Sequence, residues 1–248
     1  MSSATNRGGQ RIDQDQYFTP HPFTYAIAPL LFGPGCQYGF ILDPAAGRGD
    51  LLLPLRRAGI PAGRMVAIEL DGVRVQQMRS NPELADVYAM QADGIAALQQ
   101  VRSTVTIIMN PPYSHAFQFV RAAVQAAERC GGQAAAFLRL GFLASDKRRR
   151  FLEQYPPLVR IASRRPCFVK VVTHLPDGKT RTSTTDASEY AWICWRFGKN
   201  WPAVRELGWL NDDPAEIAEG LRAAGFVVPG PLALEGPEAP TFDVYPDP

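Results

Sequence analysis

The chain has 248 residues, 46% of them hydrophobic, and a formal charge of +2, enough for one large α/β core alone or with a small appendage. No apolar run approaches the ~18 residues of a membrane span, and Met1 to Gln16 carries no apolar signal core, so export is not expected. Cys36, Cys130, Cys167 and Cys194 are scattered, and His21, His115 and His174 show no ligand spacing, which argues against structural zinc or a disulfide framework and favours a reducing cytoplasm.

In chain order, Tyr17-Phe18-Thr19-Pro20 precedes a helical pattern from Phe23 to Leu31. Phe40 to Asp43 is a short apolar run ending in an acid. Asp43-Pro44-Ala45-Ala46-Gly47-Arg48-Gly49-Asp50 then leads into a helix over 51–58, closed by Gly59. Met65 to Leu70 reads as the second strand, with Glu69 near its tip, and a helix runs from about Gly72 to Arg79. Val87 to Met90 is the third strand, followed by Asp93-Gly94. Val105 to Met109 is the fourth, delivering Asn110-Pro111-Pro112-Tyr113. Ser114 is placed to cap a helix with Phe117, Val120, Val124 and Ala127 on one face, ended by Gly131-Gly132. Ala134 to Leu140 is a fifth strand. This alternation predicts a doubly wound, mostly parallel α/β sheet with right-handed crossovers.

Beyond Gly141 the pattern changes. Residues 160–172 and 190–197 read as a late antiparallel pair, separated by a polar loop, 174–188, centred on Pro176-Asp177-Gly178. One helix is expected over 214–224, and the last 20 residues read as a tail rich in Pro, Gly and Glu. The division is therefore 1–200 as the main domain and 201–248 as a helical segment with an acidic tail.

Charge is unevenly spread. Ten basic residues between Lys147 and Arg181 face two acids, Glu153 and Asp177, whereas from Glu206 onward nine acids face Arg222 alone. A basic block beside a neutral half suits a polyanionic partner; a solvated face offset by the acidic tail is the plainer alternative.

Strand ends carry the chemistry, since ligands of open α/β sheets bind outside the carboxyl ends of the strands. Gly47 and Gly49 permit positive φ and close backbone approach to a ligand. A third dinucleotide glycine is missing, its place held by Leu52, and no Lys-Ser/Thr pair completes a phosphate loop. Asp43 would repel a pyrophosphate but suits an ammonium group. Glu69 suits the two hydroxyls of a ribose, and Asp93 an adenine amino group, although acids at strand ends also cap helices. An amino-acid-bearing adenosine satisfies all three, as S-adenosylmethionine (SAM) does. In Asn110-Pro111-Pro112-Tyr113 the prolines fix the backbone and hold the Pro111 carbonyl clear of a helix, beside an amide acceptor and a flat ring. Such a turn suits the gripping of an exocyclic amino group on a planar base; a common way to leave a strand, with Tyr113 simply packing, is the plainer alternative.

This ordered set resembles the class I SAM-dependent methyltransferases, and within them the amino-methylating DNA enzymes with an Asn/Asp/Ser-Pro-Pro-aromatic motif. The likeness spans about residues 15 to 197, and Tyr17-Phe18-Thr19-Pro20 stands where one subclass has a Phe-x-Thr-Pro-like segment. The resemblance implies a seven-stranded Rossmann-like methyltransferase sheet with an antiparallel C-terminal hairpin. It implies SAM bound by Tyr17, Phe18, Thr19, Pro20, Asp43, Pro44, Ala45, Gly47, Gly49, Glu69, Asp93, Gly94 and Asn110. It further implies transfer to the N6 of a flipped-out adenine by Asn110, Pro111, Pro112 and Tyr113, as in restriction–modification. The implied partner is double-stranded DNA; no membrane and no metal are expected from the residues themselves, and a monomer is expected. Its backbone would be held by Lys147, Arg148, Arg149, Arg150, Arg164 and Arg165, with Lys179 and Arg181 of the 174–189 loop reading bases. An RNA-adenine or protein-glutamine methyltransferase, and a non-catalytic nucleic-acid-binding protein of the same fold, are the competing readings.

Overall fold

A computed structural model describes residues 19–33, 39–166, 168, 170–174, 179–184, 188–198, 206–228 and 241–244. The elements in chain order are α1 (His21–Phe32), β1 (Phe40–Asp43), α2 (Leu52–Arg57), β2 (Met65–Glu69), α3 (Gly72–Ser80), β3 (Tyr88–Gln91), α4 (Gly94–Gln100), β4 (Val105–Met109), α5 (Ala116–Cys130) and β5 (Gln133–Arg139). They continue with α6 (Asp146–Gln154), β6 (Leu158–Ile161), β7 (Lys170–His174), β8 (Thr180–Thr184), β9 (Tyr190–Arg196), β10 (Glu206–Trp209), α7 (Pro214–Ala223) and β11 (Thr241–Val244).

The main sheet runs β10-β6-β9-β5-β4-β1-β2-β3, with β9 antiparallel to both neighbours and the other pairs parallel. This is the expected doubly wound sheet with its antiparallel pair, carrying one more strand than expected, the edge strand β10. From β1 the chain steps to β2 and β3 on one side, then crosses back to β4 and β5 on the other. Such a reversal of strand order opens a crevice between the first strands of the two halves, here β1 and β4.

Period-two alternation distributes the core between two faces. Ile41, Ile108, Ala135, Phe137, Trp192 and Cys194 face α1, α2 and α7, while Leu42, Ile107, Met109, Ala134, Ala136, Ile193 and Trp195 face α4 and α5. The carbonyls at the end of α1 have no intrahelical donors. Arg196 donates to Leu30 O, and Gln133 Nε2 donates to Leu31 O at 2.6 Å. Trp192 Nε1 donates to Phe23 O at 2.8 Å, so β9 and β5 anchor α1 across the sheet.

Several expectations are revised. Ser114 does not cap α5; it bonds the His115 ring at 2.9 Å inside a 3-10 turn, Tyr113–His115. Helix α4 follows Asp93 directly and is too short for its periodicity to register in the sequence. The polar 174–188 stretch contains β8, which pairs antiparallel with β7. Thr241–Val244, read as tail, pairs parallel with β7.

His21 stands fully buried at the start of α1, with neither ring nitrogen hydrogen-bonded among the described residues. Burial first, then the nearby Arg57 charge, pushes its pKa down to about 4, partly opposed by Glu83. The unfolded chain takes the proton at higher pH, so this histidine's stabilising contribution is complete above about 6.5 and is lost as pH falls toward 4. Denaturant titrations of wild type and His21→Leu across pH 7 to 4 should show the wild type losing stability faster; parallel profiles would refute the buried neutral state.

Candidate active site

Four strand ends meet at one edge of the sheet. Asp43 closes β1, Glu69 closes β2, Asn110 follows β4, and Arg139 closes β5. The registers place them side by side, with Asp43 opposite Ala67 and Met109 opposite Ala136.

The loop after β1 is a chain of tight turns. Ala46 N–H donates to Ile68 O at 3.0 Å, and Gly49 N–H donates to Ala46 O at 2.7 Å. Gly47 and Gly49 have φ of 56° and 86°, which glycine adopts without strain. A Cβ on Gly49 would also strike Leu84 Cδ1 at 2.5 Å, whereas one on Gly47 would meet only Arg74 Nη1 at 3.9 Å. Gly49 is therefore a packing requirement, and Gly47 presents open backbone.

Glu69 is the bolt of this loop. Its Oε2 accepts from Gly47 N–H at 2.7 Å and its Oε1 from Asp71 N–H at 3.0 Å. Each carboxylate oxygen retains a second lone pair for a hydroxyl. Asp43 is almost fully buried and accepts from Ala45 N–H at 3.1 Å. Burial raises its carboxyl to about 8, with the Glu69 and Asp50 charges adding and the Ala45 bond opposing. Such a group carries a proton at neutral pH and gives it up to an approaching cation.

Asp93 is exposed, and its Oδ1 caps α4 by accepting from Ile95 N–H at 2.8 Å and Ala96 N–H at 3.2 Å. Gly94 is buried under the first loop, where a Cβ would lie 1.8 Å from Pro44 O. The contact joins the β1 and β3 loops, with Pro44 buried and Ala45 half-buried.

After β4, Asn110 Nδ2 donates to Thr19 Oγ1 at 2.9 Å, a link between residues 91 apart. Thr19 is buried and Pro20 half-buried; Tyr17 and Phe18 lie outside the described residues. The Thr19 bond engages the amino arm of the amide and fixes the orientation of the whole side chain. Pro111 is buried, and the following turn uses the next carbonyl, His115 N–H donating to Pro112 O at 3.0 Å. Tyr113 is half-buried, and its hydroxyl lies 2.6 Å from that of Tyr190. Tyr190 and Arg139 were not singled out from the sequence. Their signal was a lone arginine ending an apolar strand, opposite a tyrosine in the β5–β9 ladder.

The basic residues are less available than their count implies. Arg148 donates to Phe142 O at 2.7 Å and Gly141 O at 3.2 Å, and its guanidinium covers the Phe142 ring. Arg149 pairs with Asp146 and Glu153 on its own helix. Arg164 pairs with Asp212 at 3.3 Å and Arg165 with Glu189 at 2.6 Å. Lys147 and Arg150 are exposed on α6 without an ion pair among the described residues. Lys179 is exposed just before β8, and Arg181 lies in β8 opposite Thr173. Among the described residues no cluster of metal-ligating side chains occurs, and no helix is long and apolar enough to cross a membrane.

The Gly94 contact sets a direct test. Gly94→Ala should destabilise the fold by roughly 1–3 kcal/mol, as overpacking against rigid backbone does; an unchanged denaturation midpoint would contradict the packing at Pro44.

No family model matches the sequence, and no curated protein matches it significantly. Solved structures do share its fold. The methyltransferase subunit of a type I restriction-modification system from Streptococcus thermophilus superposes with a TM-score of 0.55 at 18% identity, over 84% of this chain and 52% of that one. A class I SAM-dependent methyltransferase of Listeria monocytogenes, itself described as putative, gives 0.52 at 14% identity, over 87% and 74%. The M protein of the type I restriction enzyme EcoKI gives 0.51 at 14% identity, over 75% and 44%. The chain thus spans about half the length of the two restriction subunits, and it has the Rossmann-like fold these methyltransferases share.

Proposed function

We propose that this protein is a SAM-dependent methyltransferase acting on the N6 amino group of an adenine flipped out of DNA. The observation that carries the reading is the Asn110–Thr19 hydrogen bond at the carboxyl end of β4. It fixes the amide that precedes the diproline turn, and β4 pairs directly with β1, the strand that leads into the glycine loop. The shared fold with restriction methyltransferase subunits favours DNA among the possible substrates.

The residues present fit SAM. Asp43, buried and poised to ionise, matches an ammonium group; Gly47 leaves room for backbone approach; Glu69, held by two N–H groups, matches ribose hydroxyls. When bound, SAM supplies an electrophilic methyl group on a sulfonium. Thr19 fixes the Asn110 amide so that its oxygen accepts one N6–H, and the Pro111 carbonyl accepts the other. With both protons engaged, the nitrogen lone pair would turn out of the ring plane toward a methyl donor, the S–CH3 bonding pair staying with the sulfonium sulfur and one N6 proton leaving to solvent. Tyr113 supports the extruded base by stacking, worth ~1–3 kcal/mol per base. No covalent nucleophile is needed, and catalysis is chiefly positioning and electrostatics. Lys147 and Arg150, exposed on α6, would contact phosphates, giving salt-dependent affinity.

The test uses labelled SAM with duplex DNA, RNA and protein, followed by digestion. Label in N6-methyladenosine from DNA is expected; label only in RNA or in glutamine would move the activity to that substrate, and no label despite SAM binding would make the protein a non-catalytic binder. Asn110→Ala should abolish transfer while SAM affinity stays within a few-fold; collapse of SAM binding would contradict the role given to Asn110.

Asp43 gives SAM binding a pH dependence. A cationic ligand prefers the carboxylate, so affinity should rise as pH increases from 6 through about 8. Asp43→Asn should flatten that profile; a flat calorimetric profile in the wild type would remove Asp43 from cation binding.

A further inference from the structure

One face of the ring proposed to receive the base carries an arginine in this structure. Arg139 holds its guanidinium over the Tyr113 ring, with Cζ 4.5 Å from the ring centre. Arg139 Nε–H donates to the Tyr190 hydroxyl at 3.1 Å, and that hydroxyl also meets Tyr113 at 2.6 Å. The three partners differ in freedom. Tyr190 is fully buried, stacked on Phe137 at 5.3 Å with 25° between planes, and braced edge-on by Phe168 at 5.2 Å. Arg139 is exposed, and its backbone is locked opposite Tyr190 in the β5–β9 ladder. Its long side chain can swing while its anchor point stays.

We propose that Arg139 is a positioning residue that acts as a displaceable cover, holding a planar cation on the face of Tyr113 until a base exchanges with it. This rests on the base-methylating reading above. A guanidinium and a nucleobase are both flat and compete for one π face. For an exposed arginine the cation–π contact is the weaker of the two, and the Tyr190 hydroxyl keeps its bond to Tyr113 when Arg139 leaves, so the base prevails. The Tyr113–Tyr190 hydroxyl bond does not pass through Arg139, so the plate keeps its orientation after the exchange. A charged cover also keeps apolar ligands off the ring, which favours partners able to stack strongly.

The probe is 2-aminopurine riboside, whose fluorescence is quenched on stacking and which carries no phosphate to respond to a lost positive charge. Arg139→Ala should bind it roughly two- to fivefold tighter than wild type, and Arg139→Lys should fall between them. In a Tyr113→Leu background the Arg139 substitution should have no effect. In the wild type, the Arg139 Nε–H NMR resonance should stand displaced by the Tyr113 ring current and return toward its ordinary position as riboside saturates the site. Equal or weaker binding by Arg139→Ala, or a resonance that does not move, overturns the cover; should Arg139→Ala fail to fold, Arg139→Lys and the resonance decide. If the wild type transfers label to no nucleic acid, the base-methylating reading falls and takes the cover with it.

Discussion

Parallel pairing of β1 with β4 is the constraint on which the rest of the architecture depends. The two strands are neighbours in the sheet although paired residues such as Phe40 and Val105 lie 65 positions apart in sequence. Their following segments leave in opposite directions, one into the glycine loop and α2, the other into the diproline turn and α5. Backbone groups at both strand ends are thereby left facing one crevice, free of the ladder that occupies them elsewhere. The Asn110–Thr19 bond then draws the segment before α1 to the same place, which gives the site a third wall.

Electrostatics within this crevice are set by how each acid is held. Glu69 and Asp93 both accept two N–H bonds, but Glu69 is nearly buried and clamps a loop, whereas Asp93 is exposed and caps a helix. Asp43 has one N–H partner and the deepest burial of the three, so its charge is the one least supported by the protein. A carboxyl in that state favours a cation strongly over water, because desolvation has already been suffered in the fold.

The basic block shows the opposite logic. Five of its arginines, Arg148, Arg149, Arg160, Arg164 and Arg165, are engaged by acids or carbonyls of this chain, and three of those acids, Asp212, Glu189 and Glu206, are far away in sequence. Exposed pairs of this kind contribute little to stability, and a polyanion can compete for their arginines at low salt. Net charge along a sequence therefore overstates the field at the surface, since the chain supplies its own counterions.

The sequence by itself determined the fold class, the first five strands and the three strand-end loops, because period-two burial, glycine turns and prolines are local signals written within a few residues. It also placed the diproline turn, whose stiffness is a property of its own rings. Helix α4, strand β8 and the edge strands β10 and β11 escaped, being short or polar and defined by pairing rather than by their own periodicity. Which arm of Asn110 is committed, which glycine packs and which stays open, and the arginine lying on Tyr113 were decided only by tertiary structure. Each depends on a contact between residues tens of positions apart, and no local preference of a chain encodes where its distant parts will meet.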